Sequence, residues 1–561
     1  MGSSTIVLLV LALCSTPGTF LGWFPILSAA AQVLEPPSSG AVDASMACQY
    51  LQRRLGYEIV AMPGDSEYSN GTHSAWNYHN TEFLPACIIL PREASHVQEA
   101  IKTIYDREVN YAVQAGGHSA MKGWNNVQNG ILILFTFMDD VTYDAKRDTI
   151  TLLPGVRWGQ AVSTLEPFGV APVGGRVNDV GTGLLLGGGL SFLSPKHGFG
   201  ADTFVELDIV LQDGRLVTAT VDNEYRDLFK ALKGGANRLG IVTRYEVTAV
   251  HTGGRQDKRW FGGIIMTDCF TAGLDGQYPE TALQDVLHAV AQHIRESKDP
   301  NAAILTFIGC IVSTPDAQNV TTLPAAALFY NGGDDNLTAT ETERVFNTTF
   351  SRFLSLPRLP TSFVQQLSYS DISELMAEGP AQMGLGQYFG ASTFGPDDSI
   401  NRYIDAVRLN QELTTQFKSI VSTSVVAFTP VLDNQIQVGR QRGGNVINPP
   451  LGGYNAVQFQ VSVNPGASSH ELAELNAARA KWFERLPGTP GLPLYINECD
   501  KHQNVFETYG DYDHLRRTYS KYDPTQYVFL AFPVELSFTS SLDYHKIQYE
   551  AHGRPSRPLG L

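Results

Sequence analysis

Three stretches decide the fold: QAGGHS (residues 114–119), GGRVNDVGTGLLLGGG (174–189) and GGANRLGIV (234–242). Glycine this dense, set between apolar strand-like runs, suits backbone that must approach a flat or phosphorylated ligand closely. Successive backbone N–H groups in such loops form anion-binding concavities without any lysine. No Gly-Lys-Ser/Thr follows, so this is not a phosphate loop of the Walker type. Gly-x-Gly-x-x-Gly at a strand-to-helix turn is also missing, which excludes a dinucleotide fingerprint. A lone histidine, His118, inside the first loop points to a different nucleotide cofactor.

Outward from these loops, strands and helices alternate through the first 250 residues in an α+β pattern. Short apolar runs at Cys87–Leu90, Tyr111–Gln114, Ile131–Phe135 and Thr149–Leu153 read as strands. Ser95–Asp106 carries apolar residues at helical spacing, and Asp213-Gly214 between two apolar runs signals a hairpin. From Arg255 the texture changes. Long strand-like runs appear at Phe261–Thr267, Ala303–Val312, Ala325–Tyr330, Thr423–Val431 and Ala456–Val463. Amphipathic helices at Thr281–Glu296, Ile400–Phe417 and His470–Arg485 separate them. This predicts a mostly antiparallel sheet with helices on one face.

The 561 residues are 43% hydrophobic and 17% charged, enough for two domains with separate cores. The net charge of −16, without a basic run, disfavours nucleic acid and anionic membrane surfaces. The apolar run Ile6–Leu13 and Ala29-Ala30-Ala31 read as a signal peptide over residues 1–31, with no membrane association after its cleavage. Sequons at Asn70, Asn319, Asn336 and Asn347 agree with secretion. No metal-ligand spacing and no Gly-x-Ser-x-Gly elbow is present.

Together with HGFGADTFVELDIVLQDGRLV (197–217) and the closing LYINECD (494–500), the glycine stretches resemble the fungal berberine-bridge-enzyme-like FAD-linked oxidases of the vanillyl-alcohol-oxidase superfamily. The resemblance implies an FAD-binding domain over residues 46–252 and a substrate domain over 253–465. A C-terminal segment, 466–535, then returns to the first domain. It implies FAD bonded through its 8α-methyl to His118. Gly116, Gly117, Ser119, Val180, Gly181, Gly183, Gly188, Gly240, Val242 and Asn497 are expected around the cofactor. Val177 stands where many relatives place a second linking cysteine, so a single covalent link is expected. Gln114 and Asn237 are further departures, at positions where relatives often carry arginine and glycine. A Cys48–Cys87 bridge is implied, with the pairing of Cys269, Cys310 and Cys499 left open.

In Tyr495-Ile496-Asn497-Glu498, read as a strand, alternation places Tyr495 and Asn497 on one side and Ile496 and Glu498 on the other. Glu498 is the expected base, with Tyr495 beside it. The function expected is an oxidase that passes a hydride from a small secondary-metabolite alcohol, amine or activated C–H to FAD, with dioxygen as second substrate. An oligosaccharide oxidase, a redox-neutral isomerase and a flavin-containing binding protein are the alternatives.

Overall fold

A computed structural model describes residues 39–267, 280–312, 320–333, 335–377 and 384–524. The signal-peptide reading, Cys14, Cys269, Asn319 and the end of the closing segment from residue 525 lie outside them.

The amino-terminal half holds two larger sheets around separate cores, with a two-stranded ribbon of Val170–Ala171 and Val250–His251 beside them. In the first, Cys87–Ile89 and Tyr111–Gln114 both run parallel to Ile131–Leu134, and Val60–Ala61 closes one edge. All four residues of Ile131–Leu134 are buried, because helices cover the sheet. One of these, Ala94–Arg107, buries the predicted stripe Val97, Ala100, Ile101 and Ile104. The other, Ser39–Leu55, is tied to the sheet by a disulfide between Cys48 and Cys87.

The second sheet is antiparallel, in the order Val141–Asp144, Thr149–Leu152, Ile241–Thr248, Phe204–Val210, Leu216–Ala219. Its last two strands form the hairpin around Asp213-Gly214, with Gly214 at φ 82°. The central strand, Ile241–Thr248, starts directly at the third glycine stretch, so that loop is anchored in the middle of the sheet.

The seven-stranded sheet is antiparallel throughout and spans Trp260 to Val463 in sequence. Its edge strands, Phe363–Leu367 and Gly386–Phe394, are not evident from the sequence. The first is short and carries Gln365-Gln366; the second is broken by glycines. Gly390 is required there, because a Cβ would lie 2.1 Å from the Phe483 ring. Alternation sorts the two faces of this sheet. Phe261 and Ile265 pack with helices Glu280–Glu296, Ile400–Gln416 and Ser469–Arg485. Trp260, Ile264 and Met266 pack instead against Val162, Ala171, Phe192 and Leu193 of the amino-terminal half. Burying each such large side chain stabilises the joint by about 1.5–3 kcal/mol.

Tyr495, Cys499, Val505, Phe506, Leu515 and Tyr519 join the core of the second sheet, returning the chain to the amino-terminal half. The expectation of a strand at 495–498 is corrected: Ile496–Glu498 is a 3-10 turn. Glu498 N–H donates to Tyr495 O at 3.0 Å, and no neighbouring strand pairs with the segment. The two-sided alternation predicted there therefore fails.

Candidate functional site

The histidine loop is held from below by amide side chains. Asn125 Nδ2 donates to Gly117 O at 2.9 Å, and Asn77 Nδ2 to Ala120 O at 2.8 Å. Asn80 Nδ2 donates to Ser119 O and Met121 O at 3.3 and 3.2 Å. All three asparagines are buried. Gly117 sits at φ 82°, which favours glycine. Gly116 is pressed against Gly181: a Cβ on Gly116 would lie 2.6 Å from Gly181 Cα. The two glycine stretches, 65 residues apart, thus meet backbone to backbone. The Trp76 indole stacks on the His118 imidazole with centroids 3.9 Å apart and planes 16° from parallel.

These loops wall one side of a single cavity. His118, Gly117, Ser119, Val180, Gly181 and Gly183 line it, as do Gly240 and Val242 at another part of the wall. Two expected residues do not. Gly116 is buried in its contact with Gly181, and Gly188 faces Ile447, whose methyl would lie 2.7 Å from a Cβ. Gly187 lines the wall in its stead, with Asn497 Oδ1 only 2.3 Å from where its Cβ would stand. Val177 and Asn237 also line the cavity. Gln114 lies outside it, and its Nε2 donates to Ser74 Oγ at 2.6 Å.

The whole turn from Tyr495 to Cys499 lines this cavity, Tyr495, Asn497 and Glu498 among them. The Tyr495 hydroxyl oxygen accepts from Leu190 N–H at 3.0 Å and from Asn497 Nδ2 at 2.8 Å. Burial raises the Tyr495 pKa, so the phenol is protonated at neutral pH. Glu498 is buried, and Arg176 Nη2 donates to its Oε1 at 2.9 Å. Burial pushes the Glu498 pKa up, and the neighbouring guanidinium opposes that shift. Arg176 Nη1 donates to Thr429 Oγ1 at 2.5 Å, which fixes the guanidinium between both halves of the molecule. Among the described lining residues, Arg176 is the one Lys or Arg.

The seven-stranded sheet supplies the opposite wall with Phe389, Gln458 and Gln460. Gln460 Nε2 donates to Gln387 Oε1 at 3.2 Å. Arg176, Trp76, Gln458 and Gln460 were not singled out from the sequence. Alternation in Tyr454–Val463 was the usable signal for the glutamines: Val457, Phe459, Val461 and Val463 all take the helix-covered face.

The wall fits an FAD. Glycines bring backbone to the surface of the cavity, and no protein acceptor among the described residues takes the N–H of Gly117. A diphosphate there would be met by amides rather than lysines. No group of His, Cys, Asp and Glu among the described residues is arranged to hold a metal ion.

Comparison with known proteins agrees with this fit. Residues 85–220 match the FAD binding domain family. An uncharacterized FAD-linked oxidoreductase of Arthroderma benhamiae is 26% identical over 83% of this chain and 90% of its own. The FAD-dependent monooxygenase sdcF of Emericella nidulans is 26% identical over 86% of this chain and 96% of its own. Berberine bridge enzyme from Eschscholzia californica shares the fold at TM-score 0.67 and 15% identity, covering 86% of this chain and 97% of that one. So does 6-hydroxy-D-nicotine oxidase from Arthrobacter nicotinovorans, at TM-score 0.65 and 20% identity, over 83% and 95%.

Proposed function

We propose that this chain, an FAD-dependent oxidoreductase with the fold of the berberine-bridge and vanillyl-alcohol oxidases, is an oxidase of a small secondary metabolite. Its FAD is attached through His118 alone. When bound, FAD supplies a hydride acceptor whose reoxidation by dioxygen yields hydrogen peroxide. The protein's residues do the rest. Trp76 fixes the plane of the His118 ring. Glu498, charged through its contact with Arg176, takes the proton that the substrate's hydroxyl or amine loses as the hydride leaves carbon. Gln458 and Gln460 orient the substrate from the sheet, and Phe389 covers it. Tyr495 holds Asn497 beside the ring site.

The observation that carries the reading is the Glu498–Arg176 pair facing the same cavity as His118. Anaerobic mixing with candidate alcohols, phenols and amines, followed by air, tests it. A substrate should bleach the bound flavin, and air should restore the colour with one peroxide per substrate. Failure of every candidate to bleach it would favour a flavin-containing binding protein.

A second reading follows from the relatives named FAD-dependent monooxygenases. Turnover under ¹⁸O₂ separates the two, since a monooxygenase places label in the product and an oxidase places it in peroxide. We also propose that the chain is secreted and carries glycans: Asn70, Asn336 and Asn347 are all exposed. An endoglycosidase should then lower its apparent mass.

A further inference from the structure

Beside the Arg176 guanidinium lies a second, small chamber. Arg176 and Leu190 line both this chamber and the large cavity. Thr429, His293, Gln435, Ser191 and Ser194 supply its other polar side chains, and the two serine hydroxyls are engaged with Leu193 N–H, Tyr369 and Ser191 N–H. Gln435 is wholly buried, and neither end of its amide has a protein partner. His293 Nε2 is likewise buried without a partner. Thr429 Oγ1 accepts from Arg176, and no acceptor among the described residues takes its own proton. An unpaired buried amide is costly, and polar chambers that contain one are met by ordered water. The free volume is about 10 Å³, which is room for about one water and excludes a substrate.

We propose that this chamber is a water-binding site, and that the water held between Thr429, Gln435 and His293 fixes Arg176 against Glu498. The water accepts from the Thr429 hydroxyl and from Gln435 Nε2, and donates to His293 Nε2. Three bonds are usual for a buried water. Burial lowers the His293 pKa to about 4, so at neutral pH the ring is uncharged, and in the Nδ1–H tautomer that this site requires, Nε2 is an acceptor. Gln435 and His293 touch neither cavity ligand, so they are positioning residues that act through Thr429 and Arg176. The water site holds whichever reaction the large cavity performs.

Arg176 is the charged group that shifts the Glu498 carboxyl, and Glu498 in turn raises the pKa of Tyr454, Tyr495 and Cys499. Of these, Arg176 is the one that the chamber touches. Loosening the guanidinium removes the influence that lowers the Glu498 pKa, so its midpoint should rise.

Crystals of the FAD-loaded protein should show an ordered water within hydrogen-bonding distance of Gln435 and His293 Nε2. Gln435→Met, similar in length but without an amide, should lose it. An infrared pH titration reads the Glu498 carboxyl directly, with Glu498→Gln identifying its band. In Gln435→Met the midpoint should rise by at least about half a unit, roughly threefold in acid dissociation. His293→Phe should move it the same way and serves if Gln435→Met does not fold. A dry chamber in the parent crystals overturns the proposal. So does an unmoved midpoint in a variant that has lost the water.

Discussion

The two walls of the cavity meet a ligand with different parts of the chain. From Ala115 to Ser119 and from Val180 to Gly187 the wall is largely glycine backbone, buttressed by Asn77, Asn80 and Asn125. The sheet wall is made of side chains, Phe389, Gln458 and Gln460, carried on paired strands. Backbone can cradle a cofactor common to many enzymes, whereas side chains can be exchanged without refolding the sheet. On the function proposed here, the first wall binds the cofactor and the second chooses the substrate. Between them stands the Arg176–Glu498 pair, which belongs to neither sheet.

The comparison breaks most readily at that pair. Glu498→Gln should slow anaerobic flavin reduction by roughly 10²–10⁴ if the carboxylate is the base, with flavin content unchanged. A normal stopped-flow rate would return Glu498 to a structural role. Asn77→Ala tests the buttress. The Asn77 amide bonds Ala120 O, Gln387 O and Gln387 N at 2.8–3.0 Å, joining the two walls. Its loss should destabilise the protein by about 3 kcal/mol or more in denaturant melts, since buried groups are left unpaired on both walls.

The pH dependence has a definite sign. As the proposed base Glu498 must be ionised to act, and burial raises its pKa, so the reduction rate should rise with pH along a limb above the ordinary glutamate range. Arg176→Met removes the opposing influence and should carry that limb to still higher pH. A limb that stays in place would mean the pair is not coupled. Gln458→Leu should have the smallest effect, raising KM by about tenfold with kcat and flavin content preserved, the signature of lost uniform binding. Equal losses in kcat and flavin content would mean that this wall also holds the cofactor.

The two walls were not equally legible in the sequence. The backbone wall was, because glycine density marks close approach whatever surrounds it, and His118 stands inside that signal. Gly188 was placed on the cavity in error, since a run of three glycines does not say which one faces the ligand; packing against Ile447 decides it. Most strands of the large sheet were legible from apolar runs. Its edge strands were not, and neither was the register that turns Gln458 and Gln460 inward. Arg176 stands within GGRVNDVGTGLLLGGG without being singled out, because its partner is 322 residues away. Trp76 and the buried asparagines carry no local mark that separates them from surface residues.

One measurement bears most directly on the account: acid precipitation of the purified protein, followed by peptide mass analysis. The flavin should come down with the protein, attached to the peptide containing His118 and to no other. A colourless precipitate, with all the flavin left in the supernatant, would contradict the covalent link.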